Sequence, residues 1–224
     1  MGERSWQLHR DSNSHGWSER RRLAQNLRRL IEHTLLTDVD DDVVSHAADT
    51  VGLLADKLGE KLGPTFYETV NDENWEHDGG IYADRNFMLG VCNPLAPPMV
   101  VENEGEGVVG EVTLSYAYEG PPGAAHGGVV AALIDQIFGS LMVRSDIPSM
   151  TGKLTVRYHK PTPLKKKLHL KAWVKEEQGK SILCEAELRF EKTLIASADC
   201  MMVKVNNLSL AKLFEQIKKE RADS

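Results

Sequence analysis

The stretch Gly120–Gly139, GPPGAAHGGVVAALIDQIFG, decides how the rest of this 224-residue chain is read. It opens on glycines and prolines, then turns apolar with a single aspartate, Asp135, inside the apolar run. The spacing predicts a helix from Gly127 to about Val143. Four glycines and two prolines between Glu119 and Val129 leave a bare backbone where that helix starts. A ligand can approach such a backbone closely, and the first helical turn has unpaired N–H groups that favour negative charge. Gly127 and Gly128 are therefore candidates to face a substrate, since an oxyanion hole is built from such donors.

Asp135 follows His126 by about two and a half turns. Its helical neighbours are Ala131, Ala132, Phe138 and Gly139, with Gly128 further back on the same side, so this face is mostly small residues. A mid-helix aspartate is commonly exposed to solvent. Here apolar residues occur on every side from Val129 to Met142, and a helix apolar all round is expected to be buried. A buried carboxylate needs a partner or a purpose. An apolar setting suits it to general-base work near neutral pH, or it could attack directly as a nucleophile. His126 reads more readily as a structural residue satisfying the loop than as a base.

On both sides of this helix the period changes to 2. Met99–Glu104 and Val108–Tyr118 read as two strands across an EGEG turn, and four more are expected near 154–160, 167–175, 181–190 and 194–205. One helix flanked by antiparallel strands is an α+β layout in which a sheet can wrap around the helix. Residues 99–205 are expected to form that domain. Before it lie a polar arm at 1–17 and two amphipathic helices at 18–63. The first carries Leu23, Leu27, Leu30, Ile31 and Leu35, the second Val43, Ala47, Val51, Leu54, Leu58 and Leu62. They read as an α-hairpin packing on the main domain or on a partner chain, with TDVDDD supplying N-cap candidates for the second helix. Residues 64–98 are irregular and are expected to cover a binding site, with Asn93 a candidate for substrate contact. A last amphipathic helix is expected within 206–224.

At 41% hydrophobic and 27% charged, the composition is that of a globular protein. The net charge of −6 argues against a general nucleic-acid or anionic-membrane binder. Cys92, Cys184 and Cys200 are widely spaced, which predicts free thiols in a reducing compartment. No His/Cys cluster has metal-ligand spacing, so neither a metal nor a cofactor is expected. No run of 18 apolar residues is present, so no membrane span is expected. The N-terminus has no apolar signal core. It bears Arg and Ser as transit peptides do, but Glu3, Asp11 and Glu19 weaken that reading. A cytoplasmic location is expected, with the mitochondrial matrix as the alternative in a eukaryote.

HGGVVAALID, preceded by YEGPPGAA and followed by LTVRYHKPTPL, resembles the hotdog-fold acyl-coenzyme A thioesterases over roughly residues 84–205. The pattern is similar to the phenylacetate-pathway (PaaI-like) branch and to the human mitochondrial members. The resemblance implies a curved antiparallel sheet around the central helix, with two subunits pairing as a homodimer and dimers of dimers a further option. It implies an active site shared across the dimer interface, where the N–H of Gly127 polarises the thioester carbonyl. The carboxylate of Asp135 from the other subunit then acts as base or nucleophile. Some relatives place an Asn six residues before the histidine, where this chain has Gly120. Relatives also carry Ser or Thr at the start of the next strand, which Thr151 matches, though Thr151 reads equally well as a turn residue in PSMTG.

The reaction so implied is hydrolysis of an acyl-coenzyme A to a carboxylic acid and coenzyme A, with coenzyme A entering as part of the substrate. Its phosphates make Arg157, His159, Lys160 and Lys165–Lys167 candidates at the site mouth. For the lysine run a solvated strand face is the stronger reading. Two rivals, with a catalytically inactive interaction protein as the remaining alternative, stand beside hydrolysis. Hotdog dehydratases act on acyl thioesters too, but pair a catalytic His with an acid in a different motif. A non-hydrolytic acyl-coenzyme A sensor would use the N-terminal helices, with arginines at 20–22, 28 and 29, as a binding module.

Overall fold

The computed structural model describes residues 15–63 and 84–205. These residues fall into two compact units. One comprises 87–90 and 95–205, the other 15–63, 84–86 and 91–94. The expected arm is helical from His15 onward, its earlier part lying outside the described residues. Residues 64–83 of the expected covering segment and the expected helix in 206–224 also lie outside them.

The first unit is the α+β layout the strand pattern predicts. Six strands, β1 (Val100–Glu104), β2 (Gly107–Thr113), β3 (Ser149–Tyr158), β4 (Lys167–Gln178), β5 (Ser181–Phe190) and β6 (Thr193–Lys204), form one antiparallel sheet. Their order is β1-β2-β4-β5-β6-β3. The long β3 is therefore an edge strand, with one side unpaired.

The stretch expected to run as a strand to Tyr118 ends at Thr113 instead. Ser115 accepts a hydrogen bond from the N–H of Ala117, and Tyr116–Tyr118 close into a 3₁₀ turn. A serine hydroxyl that bonds the backbone two residues on competes with the strand ladder, which explains the early stop.

Between β2 and β3 runs the central helix, Gly127–Arg144. It packs on β1, β2, β3, β4 and β5, so the sheet curls around it. Val130, Leu133, Ile134, Ile137, Phe138, Leu141 and Met142 are its buried side chains. They meet Val112, Leu168, Leu170, Ala186 and Leu188 from alternating sheet positions. Gly110 permits this closeness, because a Cβ there would lie 3.0 Å from Ile137 Cδ1 and 3.2 Å from Met99 Sδ. By length and composition this helix would also suit a membrane span. Its apolar side chains instead form the core of the unit.

The helix is not buried all round, contrary to the sequence expectation. Val129, Ala131, Ala132, Asp135, Gln136 and Gly139 are half-buried, and Gly128 and Val143 are exposed. The sheet covers one side only, and apolar composition alone cannot distinguish a covered side from an open one.

In the second unit, helix α1 (His15–Leu36) is followed by α2 (Asp41–Gly59), which makes the central helix α3. Asp40 stands at the N-cap of α2 in extended conformation, but its side chain makes no cap bond. All of α2 is exposed, including Val43, Val51, Leu54 and Leu58, so its apolar stripe is not packed against α1. The basic residues of α1 are partly spent inside the unit. Arg21 donates from Nε and Nη2 to Asp84 Oδ2 at 2.9 and 2.7 Å. Arg28 donates to the carbonyls of Asn93 and Val91 at 2.8 and 3.1 Å.

Replacing Phe138, which has no exposed surface, tests the packing of α3. Phe138→Ala is expected to lower unfolding free energy by about 3–5 kcal/mol in denaturant titration. A loss below about 1 kcal/mol would mean α3 does not anchor the sheet.

Candidate functional site

The backbone N–H groups around the start of α3 are accounted for one by one, with one left over among the described residues. The loop before it is tied to itself and to the β3–β4 connection. Gly120 N–H donates to Ala124 O, Gly123 N–H to Glu119 Oε1, Ala125 N–H to Thr162 O and His126 N–H to Tyr118 O. Gly120 lies so close to His126 that a Cβ would come within 2.7 Å of His126 Cα. A side chain at this position would press on the His126 backbone, so the loop as it stands needs glycine here.

His126 is the N-cap of α3. Its Nδ1 accepts the Gly128 N–H at 3.0 Å, and its carbonyl accepts the N–H groups of Val129 and Val130. An accepting Nδ1 carries no proton, so the ring is neutral with its hydrogen on Nε2. The structural reading of His126 is therefore the one its geometry supports. Gly128, a candidate on sequence, has its N–H engaged by this cap.

The leftover group is the Gly127 N–H, which meets no acceptor among the described residues. It borders a cleft of about 410 Å³ lined by Gly127, Val130, Tyr158, His159, Lys160 and Thr162. Lys160 has no ion-pair partner among the described residues, whereas His159 Nε2 lies 2.9 Å from Ser197 Oγ. Tyr158, which sequence reasoning passed over, donates its hydroxyl to the Gly127 carbonyl at 2.8 Å. Its only sequence signal was a place on a strand two residues before the lysine of the basic group.

The second cluster lies on the open face of α3. Thr151 Oγ1 donates to Asp135 Oδ1 at 2.8 Å, leaving Oδ2 free of that bond. The β3–β6 register shifts between Thr151 and Lys153, a bulge that accompanies the placement of Thr151 beneath the helix. Behind the pair lie Cys200 and Met202, their sulfurs 3.3 Å apart. Burial pushes the Cys200 thiol up to about 12, helped by Cys184 and by the charge of Asp135. Burial likewise raises Cys184 to about 11. Cys92, in the other unit, is also raised to about 11, by burial and then by Asp84 beside it.

Eight helical steps lead from Gly127 to Asp135, a rise of about 12 Å. A reacting carbonyl needs a donor and a base each about 3 Å away, so these two groups of one chain cannot serve the same carbonyl.

A profile described as thioesterase superfamily matches residues 122–196, which include the cleft, the aspartate and its threonine. Over those residues, about a third of its length, the chain is similar to that superfamily. A solved thioesterase superfamily protein superposes with TM-score 0.72 at 29% identity, covering 83% of this chain and 90% of that one. The unit of six strands and α3 has the hotdog fold. Mouse acyl-coenzyme A thioesterase THEM4 is 29% identical over 90 residues, 39% of either chain. The Xenopus laevis THEM4 protein is 35% identical over 71 residues, 32% of either chain. The chain thus matches about two fifths or less of the length of these curated relatives.

The other sequence candidates are spread more widely. Arg157 is on the opposite sheet face from Leu154 and Val156, which pack on the core beside α3. Lys165 lies 5.6 Å over the Tyr116 ring, and Lys167 pairs with Glu111 at 2.9 Å, in keeping with a solvated face. Asn93 belongs to the helical unit, where its Nδ2 donates to Arg85 O at 3.2 Å.

Two outcomes follow from this geometry. His126→Ala should cost about 1 kcal/mol of stability, and His126→Asn, which keeps a side-chain acceptor, should restore most of it in thermal unfolding. The thiols give a second. Below the ordinary value of 9.0 they are protonated folded or unfolded, and above it the unfolded chain ionises first. Stability should therefore decline from about pH 9 toward 12, and Cys184→Ser with Cys200→Ser should flatten that decline in pH-dependent denaturation.

Proposed function

We propose that this chain hydrolyses acyl-coenzyme A thioesters at a site completed by a second copy of itself. The observation that carries this reading is that the Gly127 N–H, which meets no acceptor among the described residues, and the Asp135 carboxylate, bonded by Thr151 of β3, lie on one rigid helix too far apart to act together within one chain. The named activity of the THEM4 proteins and the thioesterase match favour the same reaction class.

In the proposed site the thioester oxygen points at the Gly127 N–H of one chain, where the helix dipole favours the developing negative charge. Asp135 of the second copy, held by Thr151 through Oδ1, takes a proton from water through Oδ2. The water oxygen bonds to the carbonyl carbon, the C–S bond breaks, and the proton passes to the departing thiolate. The products are the free acid and coenzyme A. Direct attack by Asp135, followed by hydrolysis of the mixed anhydride, uses the same atoms. Neither route calls on a metal or cofactor. Lys160, at the cleft and without an ion-pair partner among the described residues, suits a phosphate of the coenzyme.

Two features support the second copy. β3 is a ten-residue edge with an unpaired side, and such an edge readily pairs with another strand. Beside it lies the open face of α3, whose Gly128, Ala132 and Gly139 would let a second helix approach closely. Two-fold pairing along β3 would cover that face and set each Asp135 toward the other chain's cleft. We place this activity in the cytoplasm.

Free-thiol release from acyl-coenzyme A esters of C2 to C18 acyl groups and phenylacetyl-coenzyme A tests the reading. At least one ester should turn over, and Asp135→Asn should lower kcat by about 10²–10⁴-fold with folding unchanged. Tight binding without turnover would instead make the chain an acyl-coenzyme A sensor.

A further inference from the structure

We infer that Tyr158 is a positioning residue for the oxyanion donor, acting through the Gly127 peptide. This rests on the proposed hydrolysis and adds a residue that neither the sequence pattern nor the likeness to other thioesterases assigns.

Each peptide group around Gly127 is held from a different direction. The His126–Gly127 peptide carries the free N–H, and its carbonyl accepts Val129 and Val130 N–H at 3.0 and 3.2 Å. In the next peptide, Gly127–Gly128, the N–H donates to His126 Nδ1 at 3.0 Å. The carbonyl of that same peptide accepts the Tyr158 hydroxyl at 2.8 Å. Three of the four polar groups are bonded and the fourth faces the cleft. Glycine has more backbone freedom than any other residue, so without these bonds the free N–H would sample many directions. An oxyanion donor is effective when it is aimed before the charge develops, because no reorganisation is then needed.

Tyr158 is the one member of this set that is neither part of α3 nor adjacent to it. It reaches over from β3, thirty-one residues along the chain. Its ring carbon Cζ lies 3.5 Å from where a Gly127 Cβ would be, so the ring walls that side of the glycine. The side chain is 51% exposed and lines the cleft. A tyrosine so exposed contributes little to the core, and its hydroxyl could bond to water instead. Its fixed engagement with the Gly127 carbonyl ties the end of β3 to the first turn of α3. That same strand carries Thr151, which holds Asp135. β3 thus orients both halves of the proposed chemistry, one near each end.

Tyr158→Phe keeps the ring against Gly127 and removes only the hydroxyl. Turnover is measured on the best ester for the wild type, beside Asp135→Asn. Tyr158→Phe should lower kcat by about tenfold to a hundredfold, leave KM within about twofold and leave the melting temperature unchanged. The decisive readout is a double-mutant cycle with Gly127→Pro. Proline suits the first helical position and deletes the N–H, and His126 is already extended as a pre-proline residue must be. In that background the Tyr158→Phe effect on kcat should vanish, because the group it orients is gone.

An undiminished Tyr158→Phe effect in the Gly127→Pro background, or a fall in melting temperature with kcat unchanged, would overturn the inference while hydrolysis stands. A wild type that turns over no ester would overturn the hydrolysis reading and the role of Tyr158 with it. Selective ¹⁵N-glycine labelling adds a readout independent of turnover. The Gly127 and Gly128 amide signals should shift in Tyr158→Phe, and unmoved signals would show that the hydroxyl does not hold this peptide.

Discussion

A helix with a fixed rise per residue holds Gly127 and Asp135 apart, and the rest of the molecule depends on that spacing. Both groups are fixed on one continuous run of α3, so neither can approach the other without breaking the helix. The sheet makes the spacing rigid. Leu133, Ile134, Ile137 and Phe138 are fully buried beneath the helix. Protein cores packed in this way do not deform continuously. The Gly127 N–H and the Asp135 carboxylate are therefore each held in place and mutually out of reach, and the proposed second copy is what would unite them.

The loop before the helix shows a similar economy. Every hydrogen bond between Tyr118 and Val130 leaves the Gly127 N–H uncommitted, and His126 contributes by capping rather than by taking a proton. A neutral imidazole with an accepting Nδ1 also keeps positive charge off the helix N-terminus, where the dipole disfavours it. On the open face the carboxylate is half-buried and receives a hydroxyl bond on one oxygen only. Deep burial of an unpaired charge would be costly. The half-open arrangement avoids that cost in the single chain and leaves an oxygen available to water.

Much of this was legible in the sequence. The stretch Gly120–Gly139 located the helix start, and period-2 alternation located four strands, β1, β4, β5 and β6, to within a few residues. β3 began earlier than read, at Ser149, because PSM gives no strand signal before the bulge at Thr151. The strand reading of Tyr116–Tyr118 failed because the alternation continued through a serine that turned the backbone. The burial of α3 was misjudged because composition reports how apolar a helix is and not which side a sheet covers. The Thr151–Asp135 bond joined two residues that sequence had matched separately by resemblance. Tyr158 went unread, since a tyrosine on a strand looks the same whether its hydroxyl meets water or a carbonyl 31 residues away. Arg21 and Arg28 looked like a basic binding surface and instead bond Asp84 and the carbonyls of Val91 and Asn93.

The central claim is that each site draws on two chains, and complementation tests it most directly. Chains carrying Gly127→Pro and chains carrying Asp135→Asn would be coexpressed with different tags and purified as the mixed dimer. Each homodimer lacks one essential group at both sites and should be nearly inactive. In the mixed dimer one site would combine the intact Gly127 N–H with the intact Asp135, so it should recover about half the wild-type rate per dimer. A mixed dimer as inactive as its parents would show that both groups must come from one chain, and would contradict the account.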